Sequence, residues 1–316
     1  MKFKFFLFLA WLLPVLISCH SSTTNEKKEL DTPASGEIVI AVDASFSPVI
    51  AEELKTFHLM YPEAKIHVQF VPEQDVVKKL LDNQVPLAII PRSLSADENA
   101  YFIQEKIPVQ QIKIGTDALA FIINRENPDT NFTYQQLVDV LTGKITRWNE
   151  INPSSSADSI ILVFDNRASS TIHYLEEEIL KGTPLTNRAF AGDSEAMIRN
   201  YVEQNHKAIG VIDVSRISDT EEDSVHSFLH SIRVIAISQR DSVNNPQFFK
   251  PTRYNMLYRK YPFLRNLYLV LREGHIGLGT GFANYVTSEQ GQLIIHRFGL
   301  VAAKQPVRVI ELKNEF

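Results

Sequence analysis

The strongest constraint on the fold is an alternation of element types near the start of the body. Glu37-Ile-Val-Ile-Ala-Val42 is a short β-branched run that ends in the polar stretch Asp43-Ala-Ser-Phe-Ser-Pro48. Val49, Leu54, Phe57 and Leu59 then recur at roughly helical spacing up to Tyr61-Pro62. Lys65 to Val71 alternates with period two, Glu73 to Asn83 has a helical pattern, and Pro86-Leu-Ala-Ile-Ile-Pro91 reads as a buried strand closed off by prolines. The order βαβαβ predicts an α/β fold with a largely parallel sheet.

A second series follows the long apolar strand Asp117 to Asn124. It comprises a helix over Tyr134 to Leu141, a strand over Ile160 to Phe164, helices over Thr171 to Leu180 and Glu195 to Asn205, and a strand over Ala208 to Asp213. Two series imply two α/β lobes. Ser218 to Ser231, with Glu221, Glu222 and Asp223, reads as an acidic surface excursion before a strand over Ile232 to Ile237. The C-terminal part reads as a strand (Leu267 to Arg272), one helix (Phe282 to Arg297) and a strand (Val307 to Leu312). The chain has 316 residues, 44% of them hydrophobic, enough to fill such cores without disulfides, and its single cysteine excludes a disulfide framework. A net charge of −5 leaves no basic excess for a nucleic-acid partner.

The N-terminus reads as an address. Lys2 and Lys4 precede an apolar run from Phe5 to Ile17, followed by Ser18 and Cys19. The run is shorter than the roughly 20 residues of a spanning helix, so residues 1–18 are expected to be a secretory signal peptide. Leu16-Ile17-Ser18-Cys19 resembles the bacterial lipoprotein signal, in which the cysteine is lipidated and becomes the first mature residue. Cys19 is thus the expected lipidation site, palmitate included, and the protein is expected in the cell envelope, facing the periplasm or the surface from a bacterial membrane. Residues 19–36, polar and almost free of apolar side chains, are expected to form a flexible tether.

Thr133-Tyr-Gln-Gln-Leu-Val-Asp-Val-Leu-Thr-Gly-Lys-Ile-Thr-Arg-Trp-Asn149 resembles the phosphate-binding protein family of bacterial ABC importers, within the type II periplasmic binding proteins. Asn205 to Val211, Tyr261 to Tyr268 and Thr287 to Gly299 agree in the same order. The resemblance covers about residues 37 to 312. It implies a two-lobed type II periplasmic-binding-protein-like fold with a ligand cleft between the lobes and two crossings, near Gly115–Leu119 and Met256–Pro262. The corresponding division is 37–117 with 259–316 as lobe 1 and 118–258 as lobe 2. It also implies a monomer that catalyses nothing, needs no cofactor or metal, and hands a small oxyanion, phosphate or similar, to importer membrane subunits.

The candidate site can be read from its residues as well. In Phe164-Asp-Asn-Arg-Ala-Ser-Ser-Thr-Ile172 a strand runs through a polar turn into a helix, so Ser169, Ser170 and Thr171 set hydroxyls and backbone N–H groups at a helix start. Such an end binds anions, and it is equally what an ordinary N-cap looks like. In the family this loop carries Ser-Gly-Thr around the oxyanion. Ser45 and Phe46 lie where the family presents a hydroxyl and backbone amides, and here too a plain cap for the helix near Pro48 is the other reading. Three positions depart from the family: a Ser-Gly turn is replaced by Pro72-Glu-Gln-Asp75, a ligand-facing Asp by Pro91, and an Arg by Asp165. Arg92 and Arg167 are nearby cations that suit tetrahedral oxyanions or carboxylates, or a salt bridge.

Other chemistries lack their motifs. There is no Gly-x-Ser-x-Gly, Walker loop or His-Glu-x-x-His, Gly277-Leu-Gly-Thr-Gly281 reads as a turn before the last helix, His226 and His230 read as surface residues, and Glu176 to Glu178 as a solvated face. The departures leave room for a second class, a sensor or adaptor lipoprotein with the same fold and a different small anionic ligand.

Overall fold

The computed structural model describes residues 30–192, 195–217, 230–241 and 245–304. Cys19, His226 and the strand expected over Val307 to Leu312 lie outside them, as do nearly all residues of the acidic excursion. The first lobe opens with β1 (Gly36–Asp43), α1 (Ser47–Met60), β2 (Ala64–Val71), α2 (Glu73–Leu81), β3 (Leu87–Ile90) and α3 (Ala96–Gln104). β1 pairs in parallel with β2 on one side and β3 on the other. Its alternation decides which core each residue enters: Ile40 and Val42 join Phe57 and Phe282 on one face, while Ala41 joins Val76, Leu80 and Phe102 on the other.

β4 (Gln110–Asn124) belongs to both lobes. Its first part, Gln110 to Ala118, pairs antiparallel with β12 (Leu264–Leu271), and its second, Leu119 to Ile123, pairs antiparallel with β8 (Ala208–Asp213). The second lobe contains β5 (Asn131–Phe132), α4 (Tyr134–Thr142), β6 (Ile161–Phe164), α5 (Ser170–Tyr174, continuing as a π-helical stretch over Leu175–Ile179), β7 (Ala189–Ala191) and α6 (Glu195–Gln204). After β8 come β9 (Ile232–Val234), β10 (Ala236–Ser238), β11 (Phe248–Phe249) and α7 (Arg253–Leu257); after β12 come α8 (Leu278–Val286), α9 (Glu289–Arg297) and β13 (Val301–Ala302). The strand order is β2-β1-β3-β12-β4-β8-β6-β7, with β9 and β13 also on β4, and β11-β10-β5 forms a small separate sheet. Phe121, Phe132, Trp148, Phe164 and Phe263 fill the core of the second lobe.

The fold is α/β and two-lobed, as expected, but the sheet is mixed. β12 returns from the second lobe and inserts antiparallel between β3 and β4, a direction no apolar run encodes. The expected strand over Ile232 to Ile237 is two strands on different sheets, divided at Ile235. The single C-terminal helix is also two: Thr287 Oγ donates back to Ala283 O at 2.9 Å, and Ser288 starts α9 by accepting from Gly291 N. The expected turn Gly277 to Gly281 is the N-cap and first turn of α8. Its glycines serve close packing, since a Cβ on Gly281 would lie 1.9 Å from the Pro33 carbonyl oxygen.

Asp31 Oδ2 accepts from Leu278 N at 2.5 Å, and Glu273 accepts from Gly279 N and Thr280 N at 2.8 Å each, so two carboxylates cap α8. The last residues of the expected tether are therefore packed against the first lobe. Sequence and structure agree most closely at α4, where Thr133 and Gln136 form a capping box and Gly143, at φ 78°, ends the helix in the left-handed region.

Candidate functional site

β1 and β6 each end in a polar turn, and the two turns meet. Asp43 terminates β1, and its Oδ1 accepts from Ser45 N at 2.9 Å, holding a 3₁₀ turn over Ala44–Phe46 ahead of α1. Beyond β6, Asn166 Oδ1 accepts from Ala168 N at 2.7 Å and turns the chain, after which Ser169 caps α5 by accepting from Ile172 N at 3.4 Å. Ser169, Ser170 and Thr171 are all buried. Ser170 Oγ lies 3.4 Å from Ser45 Oγ, a contact between residues 125 positions apart, one from each lobe. The N–H groups of Ser170 and Thr171 have no carbonyl within α5 to bond, being in its first turn.

Between the turns lies a side chain that the sequence reading did not select. Arg265 on β12 is fully buried, with its guanidinium 5.5 Å from the centre of the Phe46 ring. Its Nη1 donates to Ser170 Oγ at 3.3 Å, and its Nη2 to Asp117 Oδ2 at 2.7 Å and to Asp213 Oδ1. Asp117 lies on β4 and Asp213 ends β8, so one arginine joins both crossing strands to the second lobe. Three polar atoms in this cluster are buried with no hydrogen-bond partner among the described residues: Arg265 Nε, Asp117 Oδ1 and Asp165 Oδ1. Unpartnered buried groups are rare in folded proteins and call for a specific explanation.

The cluster is short of positive charge. Burial raises Asp43 to about 6, against the N–H of Ser45 and the pull of Arg265. Burial also raises Asp117 to about 6 despite its ion pair, and Asp165 is raised, again chiefly by burial with Asp213 adding to it. Arg265 is held firmly in its charged form by Asp213 and Asp117.

Arg92 belongs to a neighbouring bridge. Its Nε donates to Glu73 Oε1 at 2.5 Å, and Nη1 and Nη2 donate to the two oxygens of Glu98 at 2.7 and 2.8 Å. Glu73 Oε1 is also 2.9 Å from Nδ1 of His173 on α5, so this bridge joins the lobes too. Arg92 therefore spends its guanidinium on two carboxylates of its own lobe. Arg167 is exposed, and no hydrogen bond or ion pair of its side chain exists among the described residues. The geometry thus brings Ser45, Phe46, Ser169, Ser170 and Thr171 together, sets Arg92 in the adjoining bridge and leaves Arg167 at the surface. Arg265, Asp117 and Asp213 were missed, although an aspartate opening the apolar run that ends at Asn124, as Asp117 does, was a usable signal. Among the described residues no group of three His, Cys, Asp or Glu side chains is placed to hold a metal ion.

A profile of the PBP superfamily domain matches residues 27–290. The chain belongs to the PBP superfamily. A phosphate-binding protein of Borreliella burgdorferi is 24% identical over 278 residues, covering 84% of this chain and 90% of that relative. A phosphate-binding protein of Streptococcus agalactiae serotype V is 23% identical over 119 residues; this match spans only 39% of that relative's length and 38% of this chain. Among solved structures, an ABC-type phosphate transport receptor from Vibrio cholerae superposes with a TM-score of 0.66 at 20% identity, over 84% of this chain and all of the receptor. In this PBP superfamily member the meeting turns of β1 and β6 and the arginine of β12 lie where the two lobes face each other.

Proposed function

We propose that this chain is a solute-binding lipoprotein that captures an inorganic oxyanion, phosphate foremost, between its lobes and presents it to the membrane subunits of an ABC importer. The observation that carries the reading is the approach of Ser45 and Ser170 from opposite lobes to 3.4 Å beside a buried arginine whose Nε–H has no partner among the described residues. Hydroxyls, first-turn amides and a guanidinium are the donors a tetrahedral oxyanion takes. Ser45, Ser169, Ser170 and Thr171 supply the hydroxyls, Arg265 the fixed charge, and Phe46 the apolar floor. The phosphate-binding names of its relatives support the same ligand class. Residues 37–117 with 259–316 act as one lobe and 118–258 as the other, closing on the ligand by bending at β4 and before β12. In this reading the protein binds and releases its ligand without catalysis, in keeping with the binding-protein names of its relatives.

The decisive experiment is isothermal titration of the mature protein with phosphate, sulfate, molybdate and small carboxylates. Phosphate is expected to bind most tightly. If no oxyanion binds below millimolar concentration, the transport reading falls. The crowding of carboxylates around Arg265 favours a second reading, a sensor or adaptor taking a different small anion, and tight binding of a carboxylate alone in the same titration selects it. The lipoprotein part is tested separately: labelled fatty acid is expected on the wild type and not on Cys19→Ser, and equal labelling of both removes the anchor.

A further inference from the structure

Four carboxylates share one guanidinium in the cleft. Asp117 and Asp213 bond Arg265 directly, and Asp43 and Asp165 lie within its electrostatic reach from β1 and from the turn after β6. An incoming oxyanion adds negative charge to a buried place that already has too much. Such a site holds an anion only if a carboxylate gives up its charge, and a protonated carboxyl changes from acceptor to donor as it does so. We infer that Asp165 is the residue that does this: it takes a proton from solvent when an oxyanion enters and donates it in a hydrogen bond to the ligand.

The choice among the four follows from their partners. Asp117 Oδ2 and Asp213 Oδ1 accept from Arg265 Nη2, so each already has a cation as its direct partner. Asp43 Oδ1 is engaged by the amide of Ser45. Among the described residues Asp165 has no cation bonded to it: Ser169 and the Asn166 amide favour its charged form, Asp213 opposes it, Arg265 acts only at a distance, and Oδ1 is buried with no partner. Its turn leads into the Ser169 to Thr171 start of α5, so a proton on Asp165 adds a donor on the side where hydroxyls and first-turn amides already converge. Tyr174 also faces Arg265 and is pushed upward by burial, which keeps it neutral across the neutral range. The other titrating group close in sequence is His173, and it faces Glu73, Arg92 and Glu177 rather than the cleft carboxylates.

The inference rests on the oxyanion reading of the cleft, and one experiment separates their fates. Phosphate is titrated into the mature wild type and into Asp165→Asn, an isosteric side chain that always donates, in buffers of unlike ionisation enthalpy across neutral pH. The wild type is expected to take up about one more proton per phosphate than the variant, and to lose affinity up to roughly tenfold per pH unit more steeply on the alkaline side. Equal proton counts and parallel pH profiles overturn the role of Asp165 and leave the oxyanion reading standing. Absence of phosphate binding in the wild type at every pH overturns both. Should the variant fold poorly, the carbon-13 resonance of the Asp165 carboxyl in the phosphate-saturated wild type reads the same proton: a protonated shift at neutral pH upholds the inference and an ionised one overturns it.

Discussion

Two ionic clusters span the lobes, and they are built on opposite terms. In the Glu73 bridge every charge meets its complement: Arg92 reaches two carboxylates, Glu73 receives two donors, and Arg92 and His173 keep 26% and 33% of their side-chain surface in solvent. In the Arg265 cluster the guanidinium has no solvent exposure, and Arg265 Nε, Asp117 Oδ1 and Asp165 Oδ1 lack partners among the described residues. A satisfied, partly wet bridge has nothing left to offer a ligand and acts as a clasp. A dry, under-satisfied cluster has unspent donors and acceptors, which is what the proposed oxyanion site requires.

Removing the central charge from the buried cluster has the largest expected effect. Arg265→Met leaves Asp117 and Asp213 buried without a cation and is expected to destabilise the protein by about 3–5 kcal/mol at neutral pH, with less loss in acid, where the carboxyls can protonate. Denaturant unfolding measures it. A loss below about 1 kcal/mol would mean that water reaches the cluster, and the contrast between the two bridges would collapse.

Next come the hydroxyls at the start of α5. Thr171→Ala removes one hydrogen bond to a charged ligand and is expected to weaken phosphate binding by about 1.5–3 kcal/mol, roughly ten- to a hundredfold. Ser170→Asp is expected to do more, because it adds a fifth carboxylate beside Arg265. Unchanged affinity in both variants would return Ser169 to Thr171 to the role of a plain helix cap.

The clasp is expected to be worth less and to depend on pH. Glu73 holds the His173 pKa above its ordinary value, chiefly through their hydrogen bond, against burial and the neighbouring positive charge of Arg92. A raised histidine pKa stabilises the closed form fully below the ordinary histidine value and loses that contribution as pH rises through the raised one. Glu73→Gln is therefore expected to cost about 1 kcal/mol in mildly acidic solution, the partial exposure of His173 limiting the effect. The part due to His173 should vanish in alkali, where the arginine pair alone remains. Parallel stability curves for wild type and variant would show that His173 adds nothing to the clasp.

The same contrast explains what could be read in advance. β1 to β3 were legible because period-two and helical patterns alternate between prolines, and α4 because its cap residues stand at fixed offsets. Ser45 and Ser170 could be named one by one, since each sits in a strand-to-helix turn. Their meeting is a property of the folded chain, and so is the Arg265 cluster, whose ion pairs join residues 148 and 52 positions apart. An arginine in a strand ordinarily signals an edge or a wet face. Only the antiparallel insertion of β12 beside β4 makes it central, and strand direction leaves no trace in an apolar run.

The smallest expected effect belongs to Arg167, and it sharpens the distinction because this side chain lies in neither cluster. It stands in the turn between Asp165 and Ser169 but is exposed and unpaired among the described residues. A charge in high dielectric contributes little across water, so Arg167→Ala is expected to change stability by less than about 0.5 kcal/mol. Phosphate affinity should change by no more than roughly twofold, with the difference disappearing as salt screens it. Titration of wild type and variant at low and high ionic strength measures both. A loss of tenfold or more that persists in salt would mean that Arg167 leaves solvent and meets the ligand when the lobes close. The cleft would then have a second cation, and its carboxylates would no longer need a proton to admit an anion.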